Sequence, residues 1–233
     1  MRAMTFAALG DCAVVVSLGD SIDDTVFGKI RDLTATLEGA KIPGIIDIVP
    51  AYTTVTVFYD PVRFGTDGAR PYPTVCQFIS WCVAKKKGEH DHKKETALVE
   101  IPVCYGGAFG PDVARVASHA GLSESALIEA HSSVVYTVQA IGFAPGFPYL
   151  GGLPKKLSTP RLSKPRTRVP PGSVGIGGSQ TGIYPLELPG GWNLVGRTPQ
   201  TLFSIDAKPA ALLKTGDRVK FRPISAKEFE QWK

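Results

Sequence analysis

Hydrophobic and polar positions along this chain follow two different rhythms. In the first, strand-like alternation and helical spacing take turns. Residues 5–9 and 12–18 read as short strands around a Gly10-Asp11 turn. Ser21 follows as a helix N-cap with Asp24 as its capping-box partner. Ile22, Val26, Ile30, Leu33 and Leu37 then recur at helical spacing and define one buried face, which Gly39 ends. Residues 44–49 and 53–59 are strands, the second alternating Val55, Val57 and Tyr59. Pro73 opens another helix with Val75, Ile79 and Cys82 on its apolar side, and Lys85, Lys86 and Lys87 suit its negative C-terminal end. The order is ββαββα.

The polar run KKKGEHDHKKE, residues 85–95, interrupts this pattern and reads as a solvated linker. His90 and His92 sit in it among lysines, and no metal site is assigned to them. The expected domains are therefore residues 1–92 and 93–233.

Beyond the linker the rhythm changes. Val99, Ile101 and Val103 alternate, with Pro102 restricting that strand to an edge or end position. Two short helices follow, residues 111–120 closed by Gly121 and residues 123–131 capped by Ser123. From Val134 onward short apolar runs are separated by glycine and proline, and LKTGDRVKF reads as a hairpin with Val219 and Phe221 facing inward. Many short, closely spaced strands predict a closed barrel. The fold class expected is α+β.

Composition narrows the classes. Hydrophobic residues make up 43% of 233 and charged residues 20%, which is ordinary for a globular protein. No apolar run is long enough to span a bilayer, and the N-terminus lacks a cleavage pattern, so no membrane partner and a cytoplasmic location are expected. Cys12, Cys76, Cys82 and Cys104 show no C-x-x-C spacing and are expected as buried free thiols. The net charge of +5 gathers in the linker and in residues 161–168. Without an RNP, zinc-finger or helix-turn-helix signature it predicts no nucleic-acid partner.

The candidate chemistry lies between Ile141 and Pro199. There is no Walker A loop, no complete G-x-S-x-G and no H-E-x-x-H. PRLSKPRTRVPPG instead places Arg161, Lys164, Arg166 and Arg168 among four prolines, and Arg197 lies between Gly196 and Pro199. Guanidinium forks bind carboxylates and phosphates with paired hydrogen bonds, and stiff neighbours limit the entropy lost on binding. A solvated basic loop is the alternative. Gly177, Gly178, Ser179, Gln180 and Thr181 offer backbone N–H groups and hydroxyls for an oxyanion, or else form a structural barrel corner. His131 is either a base or a structural histidine. Tyr136, Phe143, Phe147, Tyr149, Tyr184 and Trp192 supply a core or an interface.

IGFAPGFPYLGGLP, PRTRVPPGSVGIGG, QTGIYP, PGGWNLVGRTP and LLKTGDRVKF together resemble the allophanate hydrolase subunit 1 family. That family includes the B component of bacterial 5-oxoprolinase, the sporulation kinase inhibitor KipI and one half of the carboxyltransferase region of urea carboxylase. LGDCAVVVSLG and GIIDIVPAYTTVTVFYDP extend the resemblance over nearly the whole chain. Pro171 and Gly177 depart from it, where alanine is expected in many members. The resemblance implies a small α/β-sandwich N-terminal domain and a cyclophilin-like β-barrel C-terminal domain. It implies the C and A components of 5-oxoprolinase as partners, ATP with magnesium as the nucleotide, and lactam opening of 5-oxo-L-proline to L-glutamate. A KipI-like inhibitor of a sensor histidine kinase and a carboxyltransferase component are the other readings. For lactam chemistry, Arg166, Arg168, Gln180, Tyr184 and His131 are expected as catalytic residues. Arg161, Arg197, Gly177, Gly178, Ser179 and Thr181 are expected to bind substrate or nucleotide.

Overall fold

The computed structural model describes residues 4–65, 68, 70–85 and 98–232. His90, His92 and the lysines at 86, 87, 93 and 94 lie outside the described residues. The chain falls into two compact units, residues 1–94 and 95–233. None of the described helices is long and apolar enough to cross a membrane.

The first unit is built from β1 (Thr5–Ala8), β2 (Ala13–Ser17), α1 (Asp24–Ala40), β3 (Ile45–Pro50), β4 (Thr54–Tyr59), α2 (Pro61–Phe64) and α3 (Pro71–Lys85). Its sheet is antiparallel with strand order β1-β2-β4-β3. Val14 and Val16 from β2 and Val55, Val57 and Tyr59 from β4 lie on one face. Against them pack Val26, Ile30, Leu33 and Leu37 of α1 and Val75, Ile79 and Cys82 of α3.

Three local expectations change here. Asp23, not Ser21, caps α1: its carboxylate accepts the Val26 N–H, and the Ser21 hydroxyl donates to that carboxylate. The helix therefore starts later, and Ile22 is 56% exposed, off the buried face. Gly39 does not end α1, because Lys41 takes the left-handed position (φ 44°) and donates its N–H to the Glu38 carbonyl. Cys12 is exposed and Cys76 half-buried; all four thiols are free, and Cys82 and Cys104 are buried.

The second unit contains β5 (Leu98–Tyr105), α4 (Val113–Ala120), α5 (Glu124–Ser132), β6 (Val135–Ile141) and β7 (Pro148–Gly151). A 3-10 turn, Lys155–Leu157, leads to β8 (Arg166–Val169), β9 (Ser173–Gly177), β10 (Gln180–Ile183), β11 (Leu188–Gly190), β12 (Asn193–Arg197), β13 (Arg218–Pro223) and α6 (Ala226–Glu230). Seven strands close a barrel in the order β10-β7-β6-β13-β5-β12-β9, while β8 and β11 form a separate two-stranded ribbon. Gly121, in the left-handed region, ends α4, and the Ser123 hydroxyl caps α5.

The expected terminal hairpin is not formed. The Asp217 carboxylate accepts the Lys214 N–H in a tight turn, and β13 then pairs parallel with β5 and antiparallel with β6. Val219 and Phe221 do face inward. Pro102 lies inside β5, opposite Arg222, rather than at an edge. It is tolerated because the second neighbour, β12, pairs only Cys104 and Tyr105.

Candidate functional site

Beside the barrel wall lies a second apolar cluster of Phe147, Val169, Tyr184, Trp192 and Leu194, with Ala144, Tyr149 and Leu188 packed against it. Phe147 is its hub. Its ring centroid is 5.5 Å from Phe143, 4.8 Å from Tyr149, 5.2 Å from Tyr184 and 5.6 Å from Trp192, mostly edge to face. Phe143 at its margin is 61% exposed and holds φ at +67°. A bulky side chain seldom adopts that region, and such strain concentrates where structure serves a function.

The basic loop is pinned onto this cluster. The Asn193 side-chain amide donates to the carbonyls of Pro160 and Ile176, 3.0 Å each, while its own oxygen accepts from Arg115 Nε at 3.0 Å. The Leu162 N–H bonds the Gly191 carbonyl at 2.7 Å. At the far end Arg166 Nη2 donates to Asp112 Oδ1 at 2.8 Å, and Asp112 Oδ2 accepts the Leu194 N–H at 2.7 Å. Residues 160–166 are thereby tied to β12 at both ends. Removing Asp112 would leave a half-buried guanidinium without its counter-charge.

One arginine of this loop lies over the aromatic cluster. The Arg161 guanidinium lies over the Trp192 ring, 5.8 Å from its centroid. Among the described residues it has no hydrogen-bond or ion-pair partner. Arg166 Nη1 is buried and likewise unpartnered. Burial raises the Tyr184 phenol, while a backbone hydrogen bond from Trp192, Arg161 and Arg166 act in the opposite sense. Burial also raises Tyr149, again opposed by Arg161. Both cations therefore act on the Tyr184 hydroxyl, and Arg161 on that of Tyr149 as well.

The other expected site residues are placed elsewhere. Arg168, 81% exposed at its side chain, faces Glu187 at 3.7 Å in solvent, a weak pairing. Arg197 Nε donates to the Pro171 carbonyl, and its guanidinium lies over Phe229. Gly177 and Gln180 pair across the β9–β10 turn, whose left-handed residue is Gly178 (φ +64°). The Gly178 N–H is given to the Thr159 carbonyl at 2.8 Å. Ser179 is exposed at the tip. The Gly178 donor is therefore engaged within the barrel, as in a structural corner. Gly177 has a packing role as well: a Cβ there would lie 2.5 Å from Trp192 Nε1, so an alanine would force the indole to shift.

His131 and Thr181 belong to the barrel core. Thr181 Oγ1 donates to the Gly175 carbonyl at 3.0 Å, so its oxygen accepts from His131 Nε2–H, also 3.0 Å away. His131 Nδ1 then accepts from the Tyr105 hydroxyl at 2.8 Å. The ring stacks on Phe221 with centroids 4.8 Å apart. Burial lowers its pKa to about 3. A fully enclosed, neutral imidazole with both nitrogens engaged is a structural histidine, which corrects its expected catalytic role.

Asp112 and Asn193, which aim the loop, escaped the sequence reading. Asp112 reads there only as the start of a helix after Gly110-Pro111, and Asn193 as one polar residue after an aromatic. Nothing local marks either as a partner of residues 17 or more positions away.

The model for the carboxyltransferase domain, subdomain C and D, matches residues 4–213. The chain belongs to that family. A Haemophilus influenzae protein named as the B component of 5-oxoprolinase is 55% identical over 94% of this chain and 97% of its own length. A Bacillus subtilis protein of the same name is 42% identical over 97% of this chain and 95% of its own length. Among solved structures, TTHA0988 superposes with a TM-score of 0.78 at 34% identity over 92% of this chain. This chain spans only 40% of the TTHA0988 chain.

Proposed function

We propose that the chain is the B component of an ATP-dependent 5-oxoprolinase, inactive alone and working in the cytoplasm with the C and A components. The observation that carries this reading is end-to-end similarity, at 42% and 55% identity, to proteins bearing that name. The pinned loop holding Arg161 and Arg166 supports it chemically. A lactam carbonyl is a poor electrophile. Transfer of the γ-phosphoryl group of ATP to the lactam oxygen leaves ADP and a carbon that water attacks. The ring nitrogen departs as the amine, and a second water releases phosphate from the new carboxylate. Fixed cations lower the cost of the negative charge that builds on the way. With the Gly178 N–H engaged by Thr159, the nucleotide is placed in this reading at the assembled complex rather than at the glycine corner.

The test is reconstitution of the purified chain with the C and A components, measuring glutamate release from 5-oxo-L-proline with and without ATP. Release that needs ATP and all three chains is expected. Folded components that release none would remove the proposal. The family's carboxyltransferase description favours one second reading, a component of a biotin-dependent enzyme. Carboxyl transfer from carboxybiotin in the same mixture, without glutamate, would select it.

A further inference from the structure

We infer that Arg161 and Arg166 clamp the carboxylate of a small cyclic substrate, with Phe143 as the apolar wall for its ring. The inference rests on the reading above that the substrate is 5-oxo-L-proline. Three independent observations converge on this margin of the aromatic cluster. Arg161 is laid on an indole face with no protein acceptor among the described residues, an arrangement that fixes the guanidinium plane and leaves its donors for a ligand. Arg166 spends Nη2 on Asp112 and keeps Nη1 buried without a partner. A buried donor left unpaired is costly, and it marks a place where an acceptor from outside completes the set. Phe143 is exposed and held in a left-handed conformation, its edge against Phe147 and Tyr184 and much of its surface facing solvent.

Donor geometry chooses between the two anions that this chemistry could receive. Asp112 takes one side of the Arg166 fork and Arg168 faces Glu187, so among the loop's arginines the donors left unpartnered are the Arg161 guanidinium and Arg166 Nη1. Two such donors suit the two oxygens of one carboxylate. A triphosphate carries several negative charges and calls for a bed of free backbone N–H groups, and the neighbouring β9–β10 corner has already given the Gly178 donor to Thr159.

The experiment is calorimetric titration of the full chain, and of its reconstituted complex, with three probes: 5-oxo-L-proline, 2-pyrrolidinone, which has the same ring without the carboxylate, and ATP. We expect 5-oxo-L-proline to bind and 2-pyrrolidinone to bind at least roughly tenfold more weakly. Arg161→Ala, at an exposed position that leaves the fold intact, should weaken 5-oxo-L-proline roughly 10- to 100-fold. Arg166→Lys, which keeps the charge and loses the fork, should weaken it as well. Phe143→Gly removes the wall and relieves the backbone, so it should weaken binding while the melting temperature holds or rises. Equal binding of the two ring probes overturns the clamp, as does indifference to Arg161→Ala, or a failure of 5-oxo-L-proline to bind either preparation. ATP binding that Arg161→Ala weakens equally makes this a phosphate site instead. The expected pattern in a complex that releases no glutamate keeps the clamp and removes the proposed activity. Glutamate release that ignores the variants does the reverse.

Discussion

At the scale of single residues, His131 shows how a barrel core handles a titratable group. Its neutral ring is stabilised by burial, with a folded pKa of about 3 against an ordinary 6.5. The depressed value means that the unfolded chain takes up the proton first as pH falls. The contribution of His131 is fully present above pH 6.5 and is lost progressively toward pH 3, by about 1.4 kcal/mol per pH unit. Urea midpoints should therefore decline from pH 6.5 to pH 4. The His131→Gln variant, starting lower at pH 7, should decline less steeply over that interval. The same residue shows where sequence reading stops. A histidine at the end of a helix looks available to solvent, and only the barrel reveals that Tyr105 and Thr181 enclose it. Arg161 and Arg166 were legible because residue type and stiff neighbours already imply anion chemistry. Asp112 and Asn193 were not, because their work is done across distant segments.

Among elements, the barrel strands depend on close backbone approach at β10. A Cβ on Gly182 would come within 2.7 Å of the Pro148 carbonyl and 3.1 Å of the Phe147 ring. Backbone cannot yield there as a flexible side-chain tip would. Gly182→Ala should cost about 1–3 kcal/mol, read as a lower denaturant midpoint with unchanged slope. It should also disturb the aromatic cluster, since β7 carries Tyr149. Helix faces and strand alternation were legible, as Val26, Ile30, Leu33 and Leu37 or Val55, Val57 and Tyr59 demonstrate, because burial imposes a period. Helix ends were less so: Asp23 and Lys41 took the capping roles that Ser21 and Gly39 offered equally well. Strand partners were not legible at all for residues 218–223, since local turn chemistry resembles a hairpin while the true neighbours begin at residues 98 and 135.

For the molecule as a whole, the barrel is closed by its last strand. β13 bridges β5 and β6, and Val219 and Phe221 fill the core beneath them. A chain stopped after Gly216 should lose the tertiary circular-dichroism signal of residues 95–233 and aggregate, because two strand edges and a core opening would be left bare. Recovery of a monomer with an intact aromatic signal would contradict this. Every described strand of the first unit, by contrast, pairs within residues 5–59.

The late position of β13 also governs how the protein is made. While translation proceeds, the first unit can settle as soon as it clears the ribosome. Residues 98–197 must wait, unsealed, for a strand still being synthesised. The barrel thus closes only once β13 has emerged, and the nascent chain spends its most vulnerable interval just before residue 223 does.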